Sequence, residues 1–395
     1  MIQIGVHMKM KHAGLVAMSL LWGCSLALGQ SPQQKLETSL NNGLEFLKSA
    51  QKPDGTWQNP QEPPGITALV LKALAGSEKY SPDTDFVKKG YDKLLGMQVG
   101  DGGIYTSELT VYNTAIAVSA LAEAADKPEY KAALEKALAY LKGFQWNEKL
   151  TSPKGKKLSG PNDPWYGGWG YEGGNGRPDL SNTQMAMEAL HDAGLKPDDP
   201  AYQAAVKFLS RMQNHSETND QKWAGDDGGF IYSPGENDQG DSKAGEFTSP
   251  EGDRRLRSYG SMTYAGLKSF LYAGLSKQDP RVKAAFDWIT KNWTLDENPG
   301  MKLGNPQQAK FGLYYYYHTL ARALNEYDQP TITDPQGTKH DWRVELIDKL
   351  ASLQNPDGSW TGEARWMESN PILTTAYITM ALEQVKQDLK EHPIP

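Results

Sequence analysis

The sequence predicts an all-α protein, an α/α toroid: a closed double ring of six helix-hairpin repeats. Three observations predict it. A Leu-x-x-x-Gln stem recurs along the chain. Two kinds of helix alternate, one amphipathic and one apolar on nearly every side. The first and last copies of the repeat, FLKSAQKPDGTW (46–57) and LASLQNPDGSW (350–360), match each other best. Self-similarity decides architecture, so it is weighed before any local signal.

The chain opens on a segment that reads as a signal peptide, residues 1–29. Lys9 and Lys11 make a basic start, and Ala13 to Ala27 is mostly apolar. Ala27-Leu28-Gly29 is a small-x-small cleavage site. Met8 offers an alternative start, since it begins a more usual signal sequence. The apolar stretch is too short for a comfortable membrane span, and no later stretch reaches that length. Cys24 is the only cysteine and follows Leu21-Trp22-Gly23, a loose lipobox, so a lipid anchor on Cys24 is the alternative to plain cleavage after Gly29. The expected location is outside the cytoplasm, periplasmic or extracellular. The mature chain then has no thiol for catalysis, metal binding or a disulfide, and its stability rests on packing.

Residues 30–395 form one expected domain. Gln51, Gln98 and Gln145 recur every 47 residues; Gln213 and Gln354 follow at longer intervals, and Trp293 stands in the Gln position of a degenerate fifth copy. In each unit an amphipathic helix comes first, such as EYKAALEKALAYLKGFQ (129–145). Its spacing suits an outer, half-exposed helix. A turn rich in Gly, Asp and Trp follows. The second helices are ITALVLKALAG, NTAIAVSALAEA, NTQMAMEALHDAG, SMTYAGLKSFLYAG, FGLYYYYHTLARAL and LTTAYITMALEQV. Apolar character on every side predicts burial. Several begin with a Thr or Asn, expected as a helix N-cap. An open solenoid is the alternative. Neither end unit looks like a polar cap, which favours the ring. Residues 214–257 are an insertion between the Gln213 stem and the fourth buried helix.

These residues carry a resemblance. Gln51, Gly55 and Trp57, and again Gln354, Gly358 and Trp360, reproduce the Gln-x-x-x-Gly-x-Trp motif of the squalene and oxidosqualene cyclases. Gln145 with Gly167 and Trp169, and Gln213 with Gly228 and Phe230, match it with insertions. YGGWGY (166–171) before SNTQMAMEAL is similar to the turn and inner helix of those enzymes. The resemblance to the squalene cyclase and protein prenyltransferase superfamily spans nearly the whole mature chain. It implies the toroid fold, and a framework role for the Gln and Trp residues. It does not carry over the chemistry. Class II cyclases protonate substrate from an Asp-x-Asp-Asp motif, and none occurs here; Asp198-Asp199 and Asp226-Asp227 are the adjacent pairs, both in turns. Prenyltransferases bind zinc through Asp, Cys and His. The mature chain has no Cys, and its histidines (His191, His215, His318, His340 and His392) are not paired at metal-ligand spacing. No cofactor or metal is expected.

Net charge is −7, with no basic stripe that would suit a nucleic-acid partner. Eleven Trp and nineteen Tyr supply amphipathic aromatics for core and pocket alike. In a toroid the buried helices start on one face, around one cavity. The expected site lies there, roofed by 214–257. Its ligand-binding candidates are Tyr112, Asn113, Asn182, Arg257 and Tyr259. Its catalytic candidates are Asp226, Asp227, Tyr314 and His318, with Tyr314, Tyr317 and His318 sharing one helix face. Of these only His318 carries a side chain that ordinarily titrates near neutrality. Three functions remain open on sequence: an exported repeat protein binding a small lipid or glycan in the cavity, a terpene-cyclase-like enzyme with a non-standard acid, and a polysaccharide lyase using Tyr and His.

Overall fold

A computed structural model describes residues 30–59, 62–151, 155–172, 176–235, 237 and 239–394; the expected signal peptide and Cys24 lie outside them. Six hairpins follow one another. Each pairs an outer helix with an inner one: α1 (Pro32–Ser49) with α2 (Gly65–Ala75), α3 (Asp85–Leu95) with α4 (Thr110–Ala122), and α5 (Pro128–Gly143) with α6 (Leu180–Asp192). Then come α7 (Pro200–Met212) with α8 (Gly260–Tyr272), and α9 (Pro280–Lys291) with α11 (Leu313–Tyr327), a short α10 (Met301–Gly304) lying between them. The last pair is α12 (Trp342–Leu353) with α13 (Pro371–Glu391). Two small antiparallel hairpins, β1 (Glu246–Thr248) with β2 (Arg254–Leu256) and β3 (Thr331–Thr333) with β4 (Lys339–Asp341), decorate the connections.

The ring closes. Each inner helix packs on two inner neighbours in the order α2, α4, α6, α8, α11, α13, and α13 returns to α2, while α1 packs on α12 and α13. The recurring Gln explains the closure in atoms. Gln51 Nε2 donates to Gly55 O in its own turn (3.1 Å) and to Phe86 O in the next outer helix (2.7 Å). Gln98, Gln145 and Gln213 repeat this fork onto Ala133, Ala201 and Arg281. Gln354 makes the same fork, to Gly358 O (3.0 Å) and to Ser39 O of α1 (2.9 Å), and so stitches the last unit to the first. Where the fifth unit has Trp293, its indole Nε1 reaches forward to Glu345 on α12 at 3.0 Å.

The turn glycine is fixed by the same joint. Gly55, Gly102, Gly167, Gly228 and Gly358 all have φ between 85° and 93°, a region that side chains disfavour. Each also lies against a backbone carbonyl of the next outer helix; a Cβ on Gly167 would sit 1.9 Å from Ala204 O. Gly167→Ala is therefore expected to destabilise the chain by about 3 kcal/mol. Gly194 has a similar φ of 79° with open space around it, so Gly194→Ala should cost less in a parallel thermal melt. Equal losses would show that backbone angle alone matters.

The threonines differ from the N-cap expectation. Thr67, Thr114, Thr183, Thr263 and Thr375 lie inside the first turns of the inner helices. Each accepts from the backbone N–H of the turn residue before it: Trp57 (2.9 Å), Ile104 (2.9 Å), Trp169 (3.0 Å), Phe230 (3.1 Å) and Trp360 (3.0 Å). The signal is a tether between turn and inner helix. Asn113 and Asn182 are not caps either. Asn113 Oδ1 accepts from Gly65 N at the start of the neighbouring α2 (3.1 Å), and Asn182 Nδ2 donates to Asp179, the residue that does cap α6. Among the described residues no helix is long and apolar enough to cross a membrane.

Candidate active site

The inner helices begin on one face, and their first turns enclose a cavity of about 240 Å³. Six tyrosines line it. Tyr112 comes from α4, Tyr259 from the residue before α8, Tyr315 from α11 and Tyr377 from α13; Tyr171 and Tyr232 come from the loops that precede α6 and α8. Met262 and Leu109 add apolar wall. The rim carries Trp366 and Met367, 41% and 43% exposed. Among the described residues, three of the four non-glycine residues with positive φ line this one cavity: Leu109, Trp366 and Met367. Such backbone costs about 1–3 kcal/mol per residue and persists where the surroundings enforce it, often at ligand sites.

Two charged side chains face the cavity. Lys243, from the 214–257 insertion, lies over the Tyr232 ring at 4.3 Å and pairs with Asp241 at 2.8 Å. Glu368 is the more informative. It is 1% exposed, and its Oε1 accepts from the Tyr315 backbone N–H at 2.8 Å. Its Oε2 has no partner. Burial and the helix N-terminus oppose each other here. Desolvation disfavours the carboxylate, whereas the amides of Tyr315, Tyr314 and Leu313 favour it. Burial wins and pushes the carboxyl up to about 8. Glu368 is thus mainly a neutral acid at pH 7, with one oxygen unpartnered among the described residues.

This has a consequence for stability. The folded chain holds the Glu368 proton up to about 8, while an ordinary glutamate releases it near 4.5. The stabilisation is fully present below the ordinary value and is lost as pH rises through the folded one. Glu368→Gln should remove a slope of at most about 1.4 kcal/mol per pH unit across that window. Denaturant midpoints of both proteins at a series of pH values check this; parallel curves would contradict it.

Beneath the tyrosines the axis is filled by ions. Lys72 on α2 meets Glu188 (2.5 Å) and Asp192 (2.7 Å) on α6; Lys268 on α8 contacts Glu188 and donates to Gln184 Oε1 (2.6 Å); Arg322 on α11 binds Asp192 and Tyr272. Burial opposes ionisation of Glu188, but Lys268, Lys72 and Arg322 overcome it and hold the carboxyl well below its usual range. The converging C-termini of the inner helices favour these cations. Gln184 Nε2 also donates to Tyr315 OH at 2.8 Å, which ties this floor to the cavity.

The structure separates the residues expected at one site. Tyr112 and Tyr259 line the cavity. Asn113 and Asn182 lie buried behind it as framework. His318 is 1% exposed below the lining, stacked on Tyr377 at 5.3 Å. Burial, aided by the nearby cations, pushes it down to about 3, so it is neutral. Tyr314 packs on Tyr317 instead, and Tyr317 donates to Leu295 O at 2.5 Å. The face turned to the axis is Tyr315, His318 and Arg322, one residue round from the expected one. Asp226 accepts from Ser216 N in a surface turn. Asp227 and Arg257 line a different cleft, between the fourth and fifth units. Among its described residues the 214–257 insertion reaches the cavity through Tyr232 and Lys243 alone; Trp223, Ile231, Ala244 and Leu256 bury it in the core. The sequence reading missed Glu368. It lies in an irregular turn with no motif around it. Tyr377 was missed as well, although it is the one tyrosine of α13.

Comparison with solved structures places the architecture. A variant of the type II terpene cyclase MstE from Scytonema, in complex with geranylgeranyl dihydroxybenzoate, is similar over 91% of this chain and 99% of its own, at 16% identity and a TM-score of 0.54. The fold is that of an α/α toroid. An unsaturated glucuronyl hydrolase specific for heparin is similar over 91% of this chain and 98% of its own, at 14% identity and a TM-score of 0.55. An α-1,6-mannanase of Salegentibacter is similar over 89% and 99%, at 11% identity and 0.52. At these identities the likeness is one of fold. No protein-family model and no curated protein sequence matches the chain.

Proposed function

We propose that the toroid binds a compact, apolar, unsaturated molecule of isoprenoid type in the tyrosine cavity, and that Glu368 acts on it as a general acid. The observation that carries this is a neutral Glu368 carboxyl, one oxygen of it without a hydrogen-bond partner among the described residues, in the wall of a cavity lined by tyrosines. A proton donor in a dry pocket is what alkene protonation needs. The Glu368 proton passes to one alkene carbon, and the π electrons of that bond form the new C–H bond. The neighbouring carbon becomes a cation, which the next alkene attacks to close a ring. Loss of a proton from the last cation restores an alkene. Tyrosine faces stabilise the passing cation. The cavity, at about 240 Å³, lies just under the common pocket range of about 300–1,000 Å³, which selects a compact ligand. The lyase alternative pairs a Tyr with a His at the ligand, and no described His lines the cavity.

Geraniol and farnesol incubated in heavy water provide the test. Cyclised product carrying deuterium on a former alkene carbon is expected from the native chain and not from Glu368→Gln. Equal product from both proteins, or no product and no change in intrinsic fluorescence on adding either alcohol, would overturn the proposal. From the basic start and apolar run of the N-terminal segment we propose separately that the protein acts outside the cytoplasm after removal of residues 1–29. Mass spectrometry of native protein should find Gln30 at the N-terminus; retention of Met1 or Met8 contradicts it.

A further inference from the structure

We infer that the cleft between the fourth and fifth units is a second ligand site, which takes a small oxyanion carried on an apolar group. The cleft measures about 280 Å³ and shares no lining residue with the tyrosine cavity. Consecutive residues part the two: Tyr259 faces the central cavity, and Ser258 faces this cleft. Two cations line it, Arg257 and Lys291. Among the described residues neither makes an ion pair or a side-chain hydrogen bond, and Arg257 Nε is buried without a partner.

Seven other described arginines, Arg177, Arg211, Arg254, Arg255, Arg281, Arg322 and Arg343, pair with carboxylates, and Arg257 does not. The carboxylate in the same cleft is already engaged. Asp227 Oδ1 accepts from Ser258 Oγ (2.7 Å) and Gly229 N (2.9 Å), and it also bonds Trp288. The Phe247 ring packs against the Arg257 guanidinium at 4.9 Å, and no acceptor among the described residues meets its N–H edge. That edge is a planar fork suited to two oxygens of a carboxylate or phosphate. Lys291 adds a second positive charge. Trp288, Phe247 and Leu303 add apolar wall, the last two 40% and 61% exposed, beside the polar Asn292 and Ser258. Positive charge together with exposed apolar surface defines the ligand class.

Calorimetric titration with benzoate, phenyl phosphate and benzamide tests the site. Benzoate and phenyl phosphate supply the oxyanion from the two possible sources, and benzamide supplies the ring without the charge. Saturable binding of either anion, with benzamide at least about tenfold weaker, is expected. Arg257→Gln should weaken the anion by about tenfold or more, and Lys291→Ala should weaken it less and flatten its salt dependence. Glu368→Gln should leave this binding unchanged, which separates it from the central cavity. Benzamide binding as tightly as benzoate, no saturation by either anion at millimolar concentration, or full affinity in both Arg257→Gln and Lys291→Ala would overturn the inference.

Discussion

Trp360→Ala is expected to lower the stability of the chain by about 3–5 kcal/mol, the usual cost of emptying a large buried aromatic site. The side chain is fully buried, and its Nε1 donates to Leu350 O at 2.9 Å, so the substitution leaves both a void and an orphaned carbonyl. Its place at the closing seam enlarges the effect. Gly43 of α1 lies so close that a Cβ there would meet the Trp360 ring at 2.9 Å. The void therefore opens at the junction of the last unit with the first. Chemical denaturation checks this, and an unchanged midpoint would remove Trp360 from the framework. Trp57 makes the same bond to Leu47 O, at 2.6 Å, and Trp57→Ala should behave alike.

Glu368→Gln is expected to lower the rate of the proposed proton transfer by about 10²–10⁴-fold, the range general acids contribute. Glutamine keeps the acceptor oxygen for the Tyr315 amide but has no acidic proton. The loss should fall on kcat rather than on binding, because shape and aromatic lining persist. Glu368→Asp keeps the acid on a shorter arm and should recover part of the rate. A Gln variant that bound ligand far more weakly, but turned over normally at saturation, would assign Glu368 to binding alone.

The ring was legible because its joint is local in sequence. A Gln, a left-handed Gly and a buried Trp fall within seven residues in the first and last units, so the motif shows itself and the closing fork from Gln354 to Ser39 follows. Even the degenerate unit obeys the geometry, with Trp293 reaching forward in place of Gln. The site was legible only in outline. That inner helix starts converge on one mouth is a property of the topology, and Tyr112 and Tyr259 were found that way. Which face of α11 turns to the axis depends on packing against α8 and α13, and helical spacing alone is one residue off. Glu368 comes from an irregular turn whose backbone is set by contacts far away in sequence, so no local pattern announces it. Arg257 and Asp227 were singled out by their charges, and the fold sends them to the neighbouring cleft.

The protonation state of Glu368 is the most direct measure of the account. Carbon NMR of protein carrying labelled glutamate, with the Glu368 carboxyl assigned by its loss in Glu368→Gln, reports that titration alone. The account predicts a midpoint near 8, well above an ordinary glutamate, so that the acid is present at neutral pH. A midpoint in the ordinary carboxylate range would leave an ion in the cavity at pH 7 and would contradict the proposed chemistry.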